Sequence, residues 1–226
     1  GGFAFRLLYT ALASDLALNA PTTGRLEPGN SSNLYQFTGA VGVSTGANVT
    51  IVDAAGLDLG PIAITGTLSA TATTGNITST GGALDIPGAA TFTASAVGAS
   101  ITVDNAANTF GATVTFAPAG GGLANVTVVD DTTLDLAALS LSGNLVITAT
   151  GITQSGAFTV TGTTTLTAGA LNDITLAAAN NFGGAVSAIS ANNVTLVDSN
   201  TIVLGASTIS GTLSVTTTTG TITDSG

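Results

Sequence analysis

Asp130 and Asp131 adjoin in the sequence, and a pair of carboxylates is the apparatus that cleaves glycosides. Such a pair works about 5 to 9.5 Å apart across a cleft, whereas neighbours on a strand point to opposite sides. Lyase chemistry would also need a base or an arginine to hold a carbanion, and no Arg, Lys or His follows Arg25. Cys, His, Met, Trp and Lys are absent throughout, which removes thiolate and imidazole metal sites, Ser-His and Cys-His nucleophiles and lysine Schiff bases. Carboxylates, hydroxyls and the two arginines Arg6 and Arg25 remain. No catalytic, cofactor-binding or metal-binding residue is assigned, and the chain reads as a non-enzyme that carries no cofactor.

A second constellation is a phrase written three times: "ANVTIVDAAG" from Ala47, "ANVTVVDDTT" from Ala124 and "ANNVTLVDSN" from Ala191. Its copies open on Asn48, Asn125 and Asn193 and close on Asp53, Asp130 and Asp198. Each is preceded by Phe-x-Gly-x-Val or a near variant, from Phe37, Phe110 and Phe182. Each is followed by a related run: "GTLSATATTGNITSTG" from Gly66, "GNLVITATGITQSG" from Gly143 and "GTLSVTTTTGTITDSG" from Gly211. Self-similarity of this kind marks a repeat architecture. The unit is about 70 to 75 residues, read as one partial and two full repeats over residues 37–226.

Within a repeat, apolar-Thr-apolar triplets recur about every eight residues, as at Phe158 to Val160, Thr164 to Leu166, Ile174 to Leu176, Val194 to Leu196 and Ile202 to Leu204. A period of two and β-branched side chains make these strands, and the Gly, Asn, Asp and Ser between them make turns. The spacing predicts an all-β fold, a parallel β-helix (β-solenoid) with about three coils per repeat. Coils stacked at about 4.8 Å would turn Asn48, Asp53, Asn125, Asp130, Asn193, Asp198, Phe37, Phe110 and Phe182 into a structural ladder. Copies three coils apart lie about 15 Å from each other, too far to share an ion whose ligands sit at about 2.0 to 2.6 Å. Asn108 with Asn180, and Phe110 with Phe182, are expected to bond turn backbone and to fill the core.

Only 6% of the residues are charged, and 12 acids against two bases leave a net charge of −10. Without a basic surface the chain is not expected to bind nucleic acid. Mean hydropathy is +0.57, yet no apolar run reaches the ~18 residues of a membrane helix, so it is not expected to span a membrane. Thr-x-Thr arrays such as Thr71 to Thr73, Thr91 to Thr93, Thr163 to Thr165 and Thr216 to Thr218 raise ice binding through outward Thr ladders as an alternative function. Asn48, Asn76, Asn125 and Asn193 stand in Asn-x-Thr glycosylation acceptors, where Asn opening a Thr-rich strand is expected anyway.

The phrases "ITQSGAFTVTGTTTLTAG", "NDITLAAANNFGGAV", "ANNVTLVDSNTIVLGAS" and "GTLSVTTTTGTITDSG" resemble the central repeats of filamentous-haemagglutinin-like exoproteins, the two-partner-secreted surface proteins of Gram-negative bacteria. The resemblance covers residues 37–226. It implies a right-handed β-helix, an extracellular or cell-surface location, and a role in adhesion, aggregation or biofilm, with a host or surface glycan as receptor. It implies no catalytic residue.

Residues 1–36 break from this composition, holding both Arg, both Tyr and the only Glu. They are read as an N-terminal cap or docking segment, with Phe3, Phe5, Leu7 and Tyr9 as an interface that meets the open C-terminal end of a neighbouring copy head to tail. The chain itself is expected to be a processed or excised piece of something longer. The expected function is therefore structural, a rod or fibre whose partners are further copies or flanking repeats.

Overall fold

The computed structural model describes residues 16–19, 37, 39–118 and 122–226. Among the described residues there is no helix, and all ladders between the 24 strands are parallel. The chain is a β-solenoid of about nine coils. Phe3, Phe5, Leu7 and Tyr9 lie outside the described residues; within the same segment, Leu16–Asn19 pairs with Val49–Val52.

Alternation decides which side chains enter the bore. In Val49–Asp53 the first, third and fifth residues are buried and Thr50 is exposed, and Val194–Asp198 repeats the same alternation. A one-residue slip would move every apolar side chain to solvent, so the pattern holds the register from coil to coil. Ile51, Ala70, Phe92 and Phe116 form one inward column. Small residues below make room for the rings above, where Phe92 stacks on Phe116 at 5.5 Å between centroids and meets Phe110 edge-on at 6.1 Å.

Each coil contributes three strand segments. Val49–Asp53, Leu68–Ala72, Ala90–Ala94 and Val114–Pro118 build the first face. Ile77–Thr78, Ile101–Val103, Val126–Val129, Leu145–Thr148, Thr164–Thr167 and Val186–Ser190 build the second. In the lower coils the third face is Leu84–Ile86 and Thr109–Phe110, stacked on the end of Leu57–Ala63. Above it the columns shear: Leu136 sits over Val114, so Leu134–Leu136, Ile152–Gln154, Val194–Asp198 and Leu213–Thr217 continue the sheet of the first face, and Leu139–Leu141 and Phe158–Val160 build a new face from the level at which Leu141 sits over Leu123. Two long strands, Leu57–Ala63 and Ile174–Phe182, bend around a corner and pair with one face at their start and the next at their end.

With each bent strand counted as two segments, ten steps lead from Val49–Asp53 to Val126–Val129, and ten more to Val194–Asp198. The ladders make this about three and a half coils, somewhat more than the expected figure of about three: Val126 stands over Ile101, Ile77 and Leu57 in one sheet, and Val194 stands over Ile174, Ile152 and Leu134 in the other. Leu136 lies over Val114, and through Ala90 and Leu68 that column reaches Val49, so the third copy returns to the sheet of the first, about seven coils above it, while the second copy lies in the other sheet.

Candidate functional site

The repeated phrase is joined to its surroundings by a polar node that recurs with it. The Asp198 carboxylate accepts the Phe182 N–H at 2.9 Å from the coil below and the Asn200 N–H at 2.8 Å from its own turn. Asp53 does the same with Phe37 at 3.0 Å and Ala55 at 2.8 Å. Asp130 takes Phe110 N–H at 3.3 Å, Thr132 N–H at 3.0 Å and the Thr132 hydroxyl at 2.9 Å, all on Oδ1. All three carboxylates are buried. Sequence alternation alone would make the fifth position apolar; the inward Asp is tolerated because it satisfies two backbone donors that a turn otherwise orphans.

Two residues before Phe110 and Phe182 stand Asn108 and Asn180, both fully buried. Each reaches three coils. Asn108 accepts from Leu84 N–H below at 2.8 Å and donates to the Val103 carbonyl of its own coil at 3.1 Å and to that of Val129 above at 3.2 Å. Asn180 accepts from Phe158 N–H at 2.7 Å and donates to Leu176 at 3.3 Å and Val197 at 3.0 Å. Gln154 adds a reciprocal pair of bonds with Asn180 at 2.8 and 3.0 Å, a role the sequence does not advertise. Asn108 and Asn180 thus bond turn backbone, and Phe110 and Phe182 lie in the core.

The opening asparagines form a separate set at the surface corners. Asn48 Oδ1 accepts Thr67 N–H at 3.0 Å, Asn125 accepts Asn144 N–H at 2.8 Å and Asn193 accepts Thr212 N–H at 3.0 Å, in each case from the coil above. The residue preceding each donor is Gly66, Gly143 and Gly211. A Cβ on Gly66 or Gly211 would stand 2.5 Å from the asparagine oxygen. These glycines are therefore required for close approach and not for a special φ, and the pairing explains why each phrase is followed one coil later by "GTL" or "GNL".

The structure does not gather these residues into a reaction centre. Asp130 is buried while Asp131 is exposed, so the adjacent carboxylates face different surroundings. Burial pushes the Asp130 carboxyl above its ordinary range, against the lowering effect of the Thr132 and Phe110 hydrogen bonds, and its Oδ2 has no hydrogen-bond partner. Among the described residues no group of three or more His, Cys, Asp or Glu could hold a metal. No described helix is long and apolar enough to cross a membrane.

Two further surface features follow the repeat. The turn between its seventh and eighth strands carries an exposed apolar side chain, Val97 in the first copy and Leu171 in the second. Outward hydroxyls form columns: Thr50, Ser69, Thr91 and Thr115 on the first face, Thr78, Thr102 and Thr127 on the second, and Thr153, Thr175, Thr195 and Ser214 where the sheet of the first face continues above Asp135.

A family model described as repeats of unknown function, DUF5649, matches residues 46–117, 123–189 and 191–226. Its three matches begin close to Asn48, Asn125 and Asn193, the same residues that open the structural unit of ten strand segments. No curated protein and no solved structure matches the chain.

Proposed function

The chain belongs to the family of DUF5649 repeats, and on that premise we propose that it is a structural segment of an extracellular bacterial surface protein, a stiff rod that serves adhesion, aggregation or biofilm. The observation that carries this reading is where the repeated residues spend their polar groups. Asp53, Asp130 and Asp198 bind the amides of Phe37, Phe110 and Phe182, so the most regular feature of the sequence holds coil to coil. Stability in such a stack is a sum of coils and of contacts between neighbours, which suits a spacer that resists bending.

The filamentous-haemagglutinin-like character, the Gram-negative cell surface and the glycan receptor belong to this proposal and draw on the resemblance of the phrases. So does head-to-tail assembly.

The test is display of the chain on a bacterial surface through an unrelated anchor. Displaying cells should settle and adhere to glycan-coated and abiotic surfaces more than cells bearing the anchor alone, and electron microscopy of the purified chain should show rods that join end to end. Equal adhesion, with isolated particles of no elongated shape, would overturn the reading.

A further inference from the structure

We propose that the first face of the solenoid binds ice. On this face Val49–Asp53, Leu68–Ala72, Ala90–Ala94 and Val114–Pro118 lie in unshifted register. Their outward residues form two columns, Thr50, Ser69, Thr91, Thr115 and Val52, Thr71, Thr93, Ala117. Six of these eight carry hydroxyls and none is charged. Neighbouring hydroxyls repeat at about 4.8 Å between coils and about 6.6 Å along a strand. β-branched side chains in packed columns have restricted χ1, so this grid of hydroxyl and methyl groups is ordered before any ligand arrives.

What distinguishes this face is regular register together with free hydroxyls: the second face carries Thr127, Thr148, Thr165 and Thr167, but its register slips between Leu166 and Thr167. Threonines beside an acid are tied to it: Thr78 bonds Asp58 at 3.1 Å, Thr109 bonds Asp85 at 2.7 Å, and Thr113 and Thr153 bond Asp135 at 2.7 and 3.2 Å. None of the six hydroxyls of the first face bonds another described residue, so water is their partner. Water bridging fixed polar groups is already partly immobilised, and a lattice of such waters needs little more ordering to join a crystal of water.

The size of the face favours this occupant over a protein. Four strands of five residues span about 19 by 17 Å, roughly 300 Å², against the ~800 Å² per partner that stable protein interfaces bury. A crystal face has no such minimum, because it does not pay for ordering loops or side chains of its own.

The experiment uses the whole chain. The wild-type protein should slow ice recrystallisation and produce thermal hysteresis. Thr93→Tyr, which raises a ring in the middle of the grid, should lower that activity at least tenfold, whereas Thr109→Tyr on the third face, at a hydroxyl tied to Asp85, should leave it within twofold, with circular dichroism unchanged in both. No effect of the wild type on ice growth at millimolar concentration, or equal loss from both substitutions, overturns the proposal. So does binding of the first face to microcrystalline cellulose or chitin without any effect on ice.

Discussion

The N–H of Phe182 donates to Oδ2 of Asp198 at 2.9 Å, sixteen residues and one coil further on, with both side chains inside the rod. Asp198→Ala would orphan this donor and that of Asn200 together. An unsatisfied buried donor costs about 1 to 3 kcal/mol; Asn200 is exposed and water can serve its amide, so the substitution should remove about 1 to 3 kcal/mol locally through Phe182. Hydrogen exchange at the Phe182 amide is the direct readout. Unchanged protection there would mean that the carboxylate contributes nothing to coil stacking.

Asn180 should be the most sensitive polar residue of the second repeat, because it serves the coil below, its own coil and the coil above. Asn180→Ala is expected to cost about 3 kcal/mol or more in urea unfolding. Asn181→Ala, an exposed neighbour that bonds Asn200, should stay within about 0.5 kcal/mol. Similar costs for the two would refute the three-coil role.

Gly66→Ala places a methyl group 2.5 Å from Asn48 Oδ1 and 2.7 Å from the Ala47 carbonyl oxygen. Overpacking of this kind costs about 1 to 3 kcal/mol. Asn48→Ala in the same chain should recover part of the loss, since it removes one of the two obstructing oxygens. A double-mutant cycle with no coupling would show that the glycine is not there for the asparagine.

Asp130 should give the rod an acid-strengthened element. Its folded pKa is raised by burial, so the folded state holds the proton more tightly than the unfolded chain. The charge penalty is complete above the folded pKa and is relieved as pH falls from the folded towards the unfolded value. Comparing wild type with Asp130→Asn, the urea midpoints should shift in favour of wild type between pH 7 and pH 4. A difference independent of pH would contradict this. Asp173 should behave oppositely. The Asn193 N–H, followed by the Asn193 and Asn192 side chains, lowers its pKa, and its small contribution disappears as pH falls through that lowered value, as a carboxyl NMR titration would record.

Much of this was legible in the letters because strand pattern and burial share a period. The triplets at Phe158 to Val160 and Ile202 to Leu204 are strands with those same bounds, and Val194 to Leu196 opens the strand Val194–Asp198. The face on which each phrase falls was not legible. Coils differ in length, with 19 residues from Val49 to Leu68 and 24 from Ala90 to Val114, so dividing a repeat by an average coil hides the extra half-coil. The Phe–Asp node was hidden for a related reason. Phe37 and Asp53 are 16 residues apart, Phe110 and Asp130 are 20, and a contact set by variable loop length leaves no fixed spacing to find. A signal was nonetheless present: an Asp at an inward position of three otherwise apolar strands is too costly to be accidental.

Val97 leaves the rod between Ala90–Ala94 and Ile101–Val103, and Leu171 between Thr164–Thr167 and Ile174–Phe182, so the two project from different corners. Since the third copy returns to the sheet of the first, a run of such repeats presents its motifs by turns on two sides, regaining its heading after two units, or about 34 Å. Such a shaft offers the same motif to partners on opposite flanks, and losing one unit would exchange the flanks of every motif beyond it without disturbing the core.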